Sequence, residues 1–483
     1  YYVELGDGSL GFFAVHRLLL EALYFADICE RFKVNYFIRD YNGNLTLKAT
    51  RFVENNNSLV VSTSGNNVSE DITFNYISIE FFKTKEPYRY IKLNEIDFGG
   101  LLTFQKEQIE NIDIINEISV NNNELPAKSL NLTINDFNNE FDILNPKSNS
   151  INILEKVKSI KIDYYLLVAN NYQSITLGTY LLENYKIENQ KLKFDCYDTI
   201  YYLNEIYYGS NFYDGVEVKQ IFNDLFNYFN YTNYEINISD NDNIKLMGYI
   251  PNVEFREALR IIAEASGLCV TTNRYGKIVI KKLFVGSTSI YEKPKTFDRR
   301  LFFKENVKVE KPFSINFTLY DYNYNTNNIE EIYNQELDIG THLIELDKLV
   351  LPNTIQKMET NSNYDIINQY ALNCVVKVTQ LTTVKLKASI INEKKTSYIY
   401  NKKYVNDNCI NIDNTLINTN NVDSVAYSKR SSGKIIYNFD TLLMPYIEEG
   451  DNGIFVTKYN QNKPFTITKI EFSNSIIQNI EGE

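Results

Sequence analysis

The stretch NVEFREALRIIAEASGLCVTTNRYGKIVIKK, residues 252–282, constrains the fold more tightly than any other part of the chain. Phe255, Ala258, Leu259, Ile262 and Ala263 recur at i, i+3, i+4, i+7 and i+8, the apolar stripe of a helix packed along one face. Arg256, Arg260 and Glu264 fall on the other side. Pro251-Asn252 supplies a start signal and Gly267 a stop. Residues 268–272 then read as a strand, 273–276 as a turn and 277–283 as a return strand. Upstream, Val218, Ile221, Phe222, Leu225 and Phe229 carry the same helical period. The predicted order is helix, short strands, helix, hairpin.

A related pattern opens the chain. The apolar run 10–28 contains His16, Arg17, Glu21 and Asp27, charges that a lone membrane span would rarely hold, so it reads as a soluble helix. Arg17, Glu21, Tyr24 and Arg31 are spaced at about one or two helical turns, and Glu21-Ala22-Leu23 echoes Glu257-Ala258-Leu259. Val34, Tyr36 and Ile38 alternate, Asn42-Gly43 makes a turn, and Leu45, Leu47 and Ala49 alternate back. A further strand follows each hairpin, at 72–82 and 313–322. The two stretches read as an internal repeat; the plainer reading is that helix-plus-hairpin units are common.

With 483 residues the chain exceeds one ordinary core, and three or four domains are expected. Asn is over-used, at 64 residues beside 38 Tyr and 29 Phe, with no Trp. Tyr, Phe and Ile favour strands and Asn favours turns, so the mixture reads as β-rich with many loops. Strands are predicted at 129–137, 157–168 and 191–203, with more pairs beyond 370. Between 321 and 365, Asn323, Asn325, Asn327 and Asn328 suggest that loops dominate.

A net charge of −12 argues against a nucleic-acid partner. The run Lys394, Lys395, Tyr398, Tyr400, Lys402, Lys403, Tyr404 reads as a strand with its charges outward. Cys29, Cys196, Cys269, Cys374 and Cys409 are widely spaced, as reduced, mostly buried thiols would be. His16 and His342 are the two histidines, neither with metal-ligand spacing. Asp240-Asn241-Asp242-Asn243 hints at a calcium loop, but Lys245 and Pro251 stand where an EF-hand needs Gly and Glu. No phosphate-binding or nucleophile-elbow motif is present. The reading is therefore of a non-enzyme, with no catalytic, metal or cofactor residues assigned and no cofactor expected.

Two other function classes compete with a structural role. A glycosidase needs only two carboxylates across a cleft, and 61 acidic residues contain such pairs by number alone, so a cell-wall hydrolase is one. A surface-glycan-binding module is the other: residues 204–215 gather Tyr207, Tyr208, Phe212 and Tyr213 in a Gly-containing loop, and Tyr rings stack on sugars. The alternative for that loop is simple aromatic packing.

Four stretches, taken in order, resemble the hub-type and fibre-adaptor proteins at the distal end of phage tails and contractile tail-like bacteriocins of low-GC Gram-positive bacteria. These are 96–134, with Glu117 and Glu124-Leu125-Pro126; 177–203, with Gly178-Thr179-Tyr180 and an aromatic-Asp segment; 248–280; and 446–457, with Glu448-Glu449-Gly450-Asp451. The resemblance implies an α+β, β-rich multidomain chain of small barrel or sandwich domains joined by helix-plus-hairpin modules. The expected divisions are 1–95 (helix-hairpin module and strands), 96–210 (β domain), 211–320 (helix-strand-helix-hairpin module) and 321–483 (C-terminal β domains). It also implies assembly with other tail proteins and receptor-binding fibres, as a homo-oligomer with a trimer among its states. No membrane span and no signal peptide are visible; the expectation is synthesis in a bacterial cytoplasm, then incorporation into a particle.

Overall fold

Hydrogen-bonded strand pairing organises most of this chain. The computed structural model describes residues 29–39, 44–55, 76–84, 104, 106–120, 124–137, 141, 158–168, 171–283, 295–298, 302–359, 363–405, 408–429, 434–473 and 477–483. Of these, 167–168 and 171–172 are described by backbone alone, as are four further segments at 2–4, 14–21, 60–61 and 92–99. Two units emerge: residues 1–108 with 138–154, and residues 109–137 with 155–483.

In the first unit, Cys29–Arg39 and Leu45–Val53 form the expected hairpin, with Tyr36 opposite Ala49. Its Asn42-Gly43 turn lies outside the described residues. Tyr76–Thr84, the predicted following strand, pairs on the other side of Cys29–Arg39. The helix expected over 10–28 is not formed where the chain is described. Ala14–Glu21 is a strand, paired with Lys92–Gly99 and Val60–Val61, so Arg17 and Glu21 lie on a strand, as does Arg31; Tyr24 lies outside the described residues. Leucine-rich periodicity favours a helix only weakly, and sheet partners far along the chain override it. Among the described residues the repeat keeps its hairpin and the strand that follows it, without a helix at 14–21.

The second unit is built on an eleven-stranded sheet. Its path runs Ser159–Val168, Asn171–Glu188, Lys191–Tyr197, Ser129–Asn135, Ile109–Glu117, Asn462–Ser473, Ile477–Gly482, Lys434–Leu442, Lys304–Glu310, with Asn452–Val456 and Lys295–Phe297 joined beside Asn462–Ser473. The alternation of Leu130, Leu132 and Ile134 is matched by their burial, as is that of Leu192, Phe194 and Cys196 opposite them. The strand predicted for 191–203 stops at Tyr197, and Thr199–Tyr202 turns as a 3-10 helix. Among the described residues the sheets are open and none closes into a barrel, so the multidomain β-rich expectation stands without its barrels.

The helix-hairpin module is present in the predicted order. Helix α1 spans Val218–Tyr228 and helix α2 Phe255–Ser266. Gly267 ends α2 in the left-handed conformation, φ 64°, which glycine adopts without steric cost. The start differs: Glu254 occupies the cap, because Val253–Glu254 pairs with Ile206–Tyr207. Cys269–Thr272 and Ile278–Lys281 form the hairpin, and Tyr234–Asn237 adds a parallel third strand.

The loops predicted for 321–365 are largely strand. Ser314–Leu337 runs 24 residues against Thr382–Tyr400. The asparagine cluster is absorbed as one register shift between Tyr324 and Ile329, where Asn325 Oδ1 accepts the Asn327 amide at 2.9 Å. Asparagine's preference for turns is local; a long partner strand supplies backbone hydrogen bonds on both sides of the bulge. Lys394 and Lys395 lie exposed on that ribbon, as expected, whereas Lys402–Tyr404 is a short 3-10 turn.

Helix α3, Val422–Ser428, is absent from the sequence-based expectation. Its signal is Val422, Val425 and Ala426 at i, i+3 and i+4, all buried, but seven residues are too few for periodicity to declare itself among strands.

Candidate functional site

The residues that carry the family resemblance converge on the α2 hairpin. From 124–126, the Leu125 carbonyl accepts Arg256 Nε at 3.0 Å. From 178–180, Tyr180 folds back over Gly178 and donates to Asn116 at 2.9 Å, while Thr179 Oγ1 donates to the Arg274 carbonyl at 2.8 Å. From 248–255, Gly248 sits at φ +136° against the Thr415 carbonyl, and the Ile250 amide donates to Ser210 Oγ at 2.8 Å. From 448–451, Glu448 pairs with Arg274, Glu449 with Lys128, and Asp451 with Lys295 at 2.6 Å. The segments 125–128, 176–179 and 445–449 thus meet on one module, residues 255–281, whereas the contacts of Gly248 and Ile250 go to Thr415 and Ser210.

Arg274 occupies the tip of the hairpin. Besides Glu448, its guanidinium donates to the carbonyls of Pro445 at 2.5 Å, Ile447 at 3.1 Å and Thr176 at 3.3 Å. A planar fork with five donors suits a site that must bind three carbonyls and a carboxylate at once. Beneath it, buried Lys128 bridges the Thr272 carbonyl and Glu449. A small cavity of about 40 Å³ lies among Lys128, Tyr180, Arg274, Pro445 and Glu449, room for water and little else.

Asp198 closes the interior of this junction. It is 1% exposed and accepts the Thr272 hydroxyl at 2.7 Å. Burial raises its carboxyl to about 6, against the opposing pull of the Thr272 hydroxyl and the Lys128 charge. Because the folded value exceeds that of the unfolded chain, about 3.9, the folded state binds the proton more tightly. Stability then falls as pH rises from about 4 to 6, and the cost persists above that window. Asp198→Asn keeps an acceptor for Thr272 and removes this slope. The wild type should lose on the order of 2–3 kcal/mol relative to the variant between pH 4 and 7. Parallel denaturant titrations at the two pH values measure it, and equal pH dependence of the two proteins would show the carboxyl to be solvated.

A second buried cluster locks α3 to α2. Lys429, 1% exposed, donates to Glu264 at 2.6 Å; Arg260 reaches the same carboxylate at 3.0 Å and Glu257 at 2.7 Å. Asn414 Nδ2 donates to Glu264 at 3.1 Å and to the Ile261 carbonyl at 2.9 Å. Burial holds the Lys429 ammonium below its usual value, against the pull of Glu264. The face of α2 read as polar is therefore covered. Asn252, read as a helix start, instead exchanges hydrogen bonds with Asn373 at 3.1 and 2.7 Å.

Other candidates resolve differently. Tyr207 and Tyr213 in the 204–215 loop are fully buried; Tyr207 donates to the Gly209 carbonyl at 2.9 Å and packs edge-on against Tyr228. Those rings are core, so the packing alternative holds for them. His342 Nε2 lies 2.8 Å from the Asp338 carbonyl; the side chain of His16 lies outside the described residues. Asp242 accepts the Ser239 hydroxyl at 2.6 Å, and Asn243 accepts the Lys219 amide at 3.0 Å, so the 239–243 turn caps α1. Among the described residues, no three His, Cys, Asp or Glu side chains gather as metal ligands, and no helix is long and apolar enough to cross a membrane. Four cysteines are buried and Cys409 is exposed, all as free thiols.

No family model matches the chain, and no curated protein sequence matches it. Solved structures do. The chain is similar to the 43 kDa tail protein of prophage MuSo2 from Shewanella oneidensis, at 9% identity over 80% of this chain and 95% of that one, TM-score 0.39. It is similar to the tail protein from Neisseria meningitidis MC58, at 9% identity over 80% and 93%, TM-score 0.41. It is also similar to prophage tail protein gp18 from Listeria monocytogenes EGD-e, at 12% identity over 80% and 91%, TM-score 0.35.

Proposed function

We propose that this chain is a non-enzymatic structural component of a phage tail tip or baseplate, or of a tail-like bacteriocin, where it closes the tube end or joins it to receptor-binding fibres. The observation that carries the reading is the convergence of the four resembling stretches on one junction. Arg274 ties the hairpin to Thr176 and to the 445–448 segment, Lys128 ties it to Glu449, and Arg256 ties α2 to Leu125. Their charges are directed at partners inside the chain. A scaffold that transmits load needs such cross-tied joints, because each charged hydrogen bond lost to shear leaves a buried group unsatisfied.

The test is location in particles. Lysates of an induced producing strain are fractionated on a gradient, and the particles are imaged with gold-labelled antibody against this chain. Label confined to the distal tip is the expected result. Recovery of the chain only in the soluble fraction, away from any particle, would overturn the proposal.

A further inference from the structure

The eleven-stranded sheet ends on the strand Lys304–Glu310, whose neighbour among the described strands is Lys434–Leu442 alone. Residues 304–309 are all exposed. Val309 is 70% exposed, and Val307 and Ile435 are each 45% exposed; Ile435 lies opposite Val309 in the ladder. Such an edge presents a row of backbone donors and acceptors that a further strand can use. Its sequence, Lys-Glu-Asn-Val-Lys-Val-Glu, has a cation three residues before Val307 and an anion three residues after it.

We propose that this edge pairs antiparallel with the same edge of a second copy of the chain, centred on Val307, so that two sheets continue as one across a two-fold axis. A two-fold axis perpendicular to the sheet keeps each side chain on its own face, so facing residues must be an even number apart in sequence. Three central registers meet that condition. Centring on Asn306 sets Lys304 against Lys308, and centring on Lys308 sets that lysine against itself. Centring on Val307 sets Lys304 against Glu310 twice and Val307 against Val307. Like charges directly opposite destabilise a pair, and opposite charges or β-branched pairs support it. Charge complementarity therefore selects one register.

The groups needed are available. Lys304 has no ion-pair partner among the described residues, and Glu310 lies 3.6 Å from Lys434 and 3.8 Å from Lys308. Those are long contacts that leave its oxygens able to accept from a second chain. The contrary role for edge lysines is to keep strands apart, and the experiment decides between the two. This inference is independent of the tail reading: it concerns the purified chain in solution.

Sedimentation velocity of the full chain over a wide concentration range is expected to show a reversible dimer. Lys304→Glu and Glu310→Lys each reverse both symmetry-related pairs and should weaken it by about tenfold. The double variant, with the charges exchanged, should regain wild-type association, which damage to folding could not produce. In a Cys409→Ser background, Val307→Cys should cross-link under mild oxidation, since its mate lies directly opposite. Val309→Cys should not, because its mate sits four positions along the strand, roughly 13 Å away. A monomer at every concentration, no rescue in the double variant, or equal cross-linking at 307 and 309 would each overturn the proposal.

Discussion

Glu264→Ala is expected to destabilise the folded chain by about 3–5 kcal/mol. The carboxylate is 4% exposed and holds Lys429 at 2.6 Å, Arg260 at 3.0 Å and Asn414 at 3.1 Å. Arg260 keeps Glu257 as a partner when Glu264 is lost, but Lys429 is left with its ammonium deep in the fold. Replacing both members of the pair with apolar groups removes the buried charge together with the carboxylate that held it. The double variant Glu264→Leu, Lys429→Met should therefore recover most of the loss. Urea unfolding followed by circular dichroism compares the three proteins, Trp being absent. A single variant within about 1 kcal/mol of wild type would show the cluster to be solvated, as surface pairs are.

Phe226→Ala should cost a similar amount, about 3–5 kcal/mol. Its ring is fully buried, stacks on Tyr234 at 3.9 Å and 12°, and meets Phe255 edge-on at 5.7 Å. Removing it opens a cavity where α1, α2 and the strand Tyr234–Asn237 meet. Phe229→Ala is the informative comparison. Phe229 caps α1, half-buried, and stacks on Phe255 at 4.3 Å, so its loss should be smaller because water can fill the gap. The same urea titrations measure both, and an equal or larger loss at Phe229 would place the centre of this core elsewhere.

These two phenylalanines show where periodicity stops being informative. The predicted stripe on α1 included Phe229 and passed over Phe226. A 3.6-residue period defines a stripe, but its width depends on what packs against the helix. Here α2, the parallel strand and the 228–234 turn surround α1, so Phe226 is enclosed while Phe229 meets the edge. The same reason explains Glu264. Its helical face reads as polar, and only the arrival of α3, from more than 150 residues downstream, buries it.

The candidate junction was partly legible. Gly178-Thr179-Tyr180, Leu125 and the Glu448–Asp451 step carry the resemblance in the sequence itself. That they touch the same hairpin was not legible, since the strands carrying them are adjacent only through sheet order. Asp198 belongs to the aromatic-Asp segment of 177–203, while Lys128 and Thr272 lie inside resembling stretches without marking themselves out. A buried lysine or aspartate looks like a surface one until its neighbours are placed.

The sequence by itself determined α1 and α2, the Gly267 stop and the 269–281 hairpin, whose hydrogen bonds are local, and the strands 129–135 and 191–197, whose strict alternation marks one buried face whichever strands they pair with. Tertiary structure alone decided the rest. Ala14–Glu21 became a strand, and Ser314–Leu337 crossed an asparagine cluster without breaking. In both, backbone hydrogen bonds come from strands tens of residues away, and no short-range preference of Leu or Asn outweighs a ladder of such bonds.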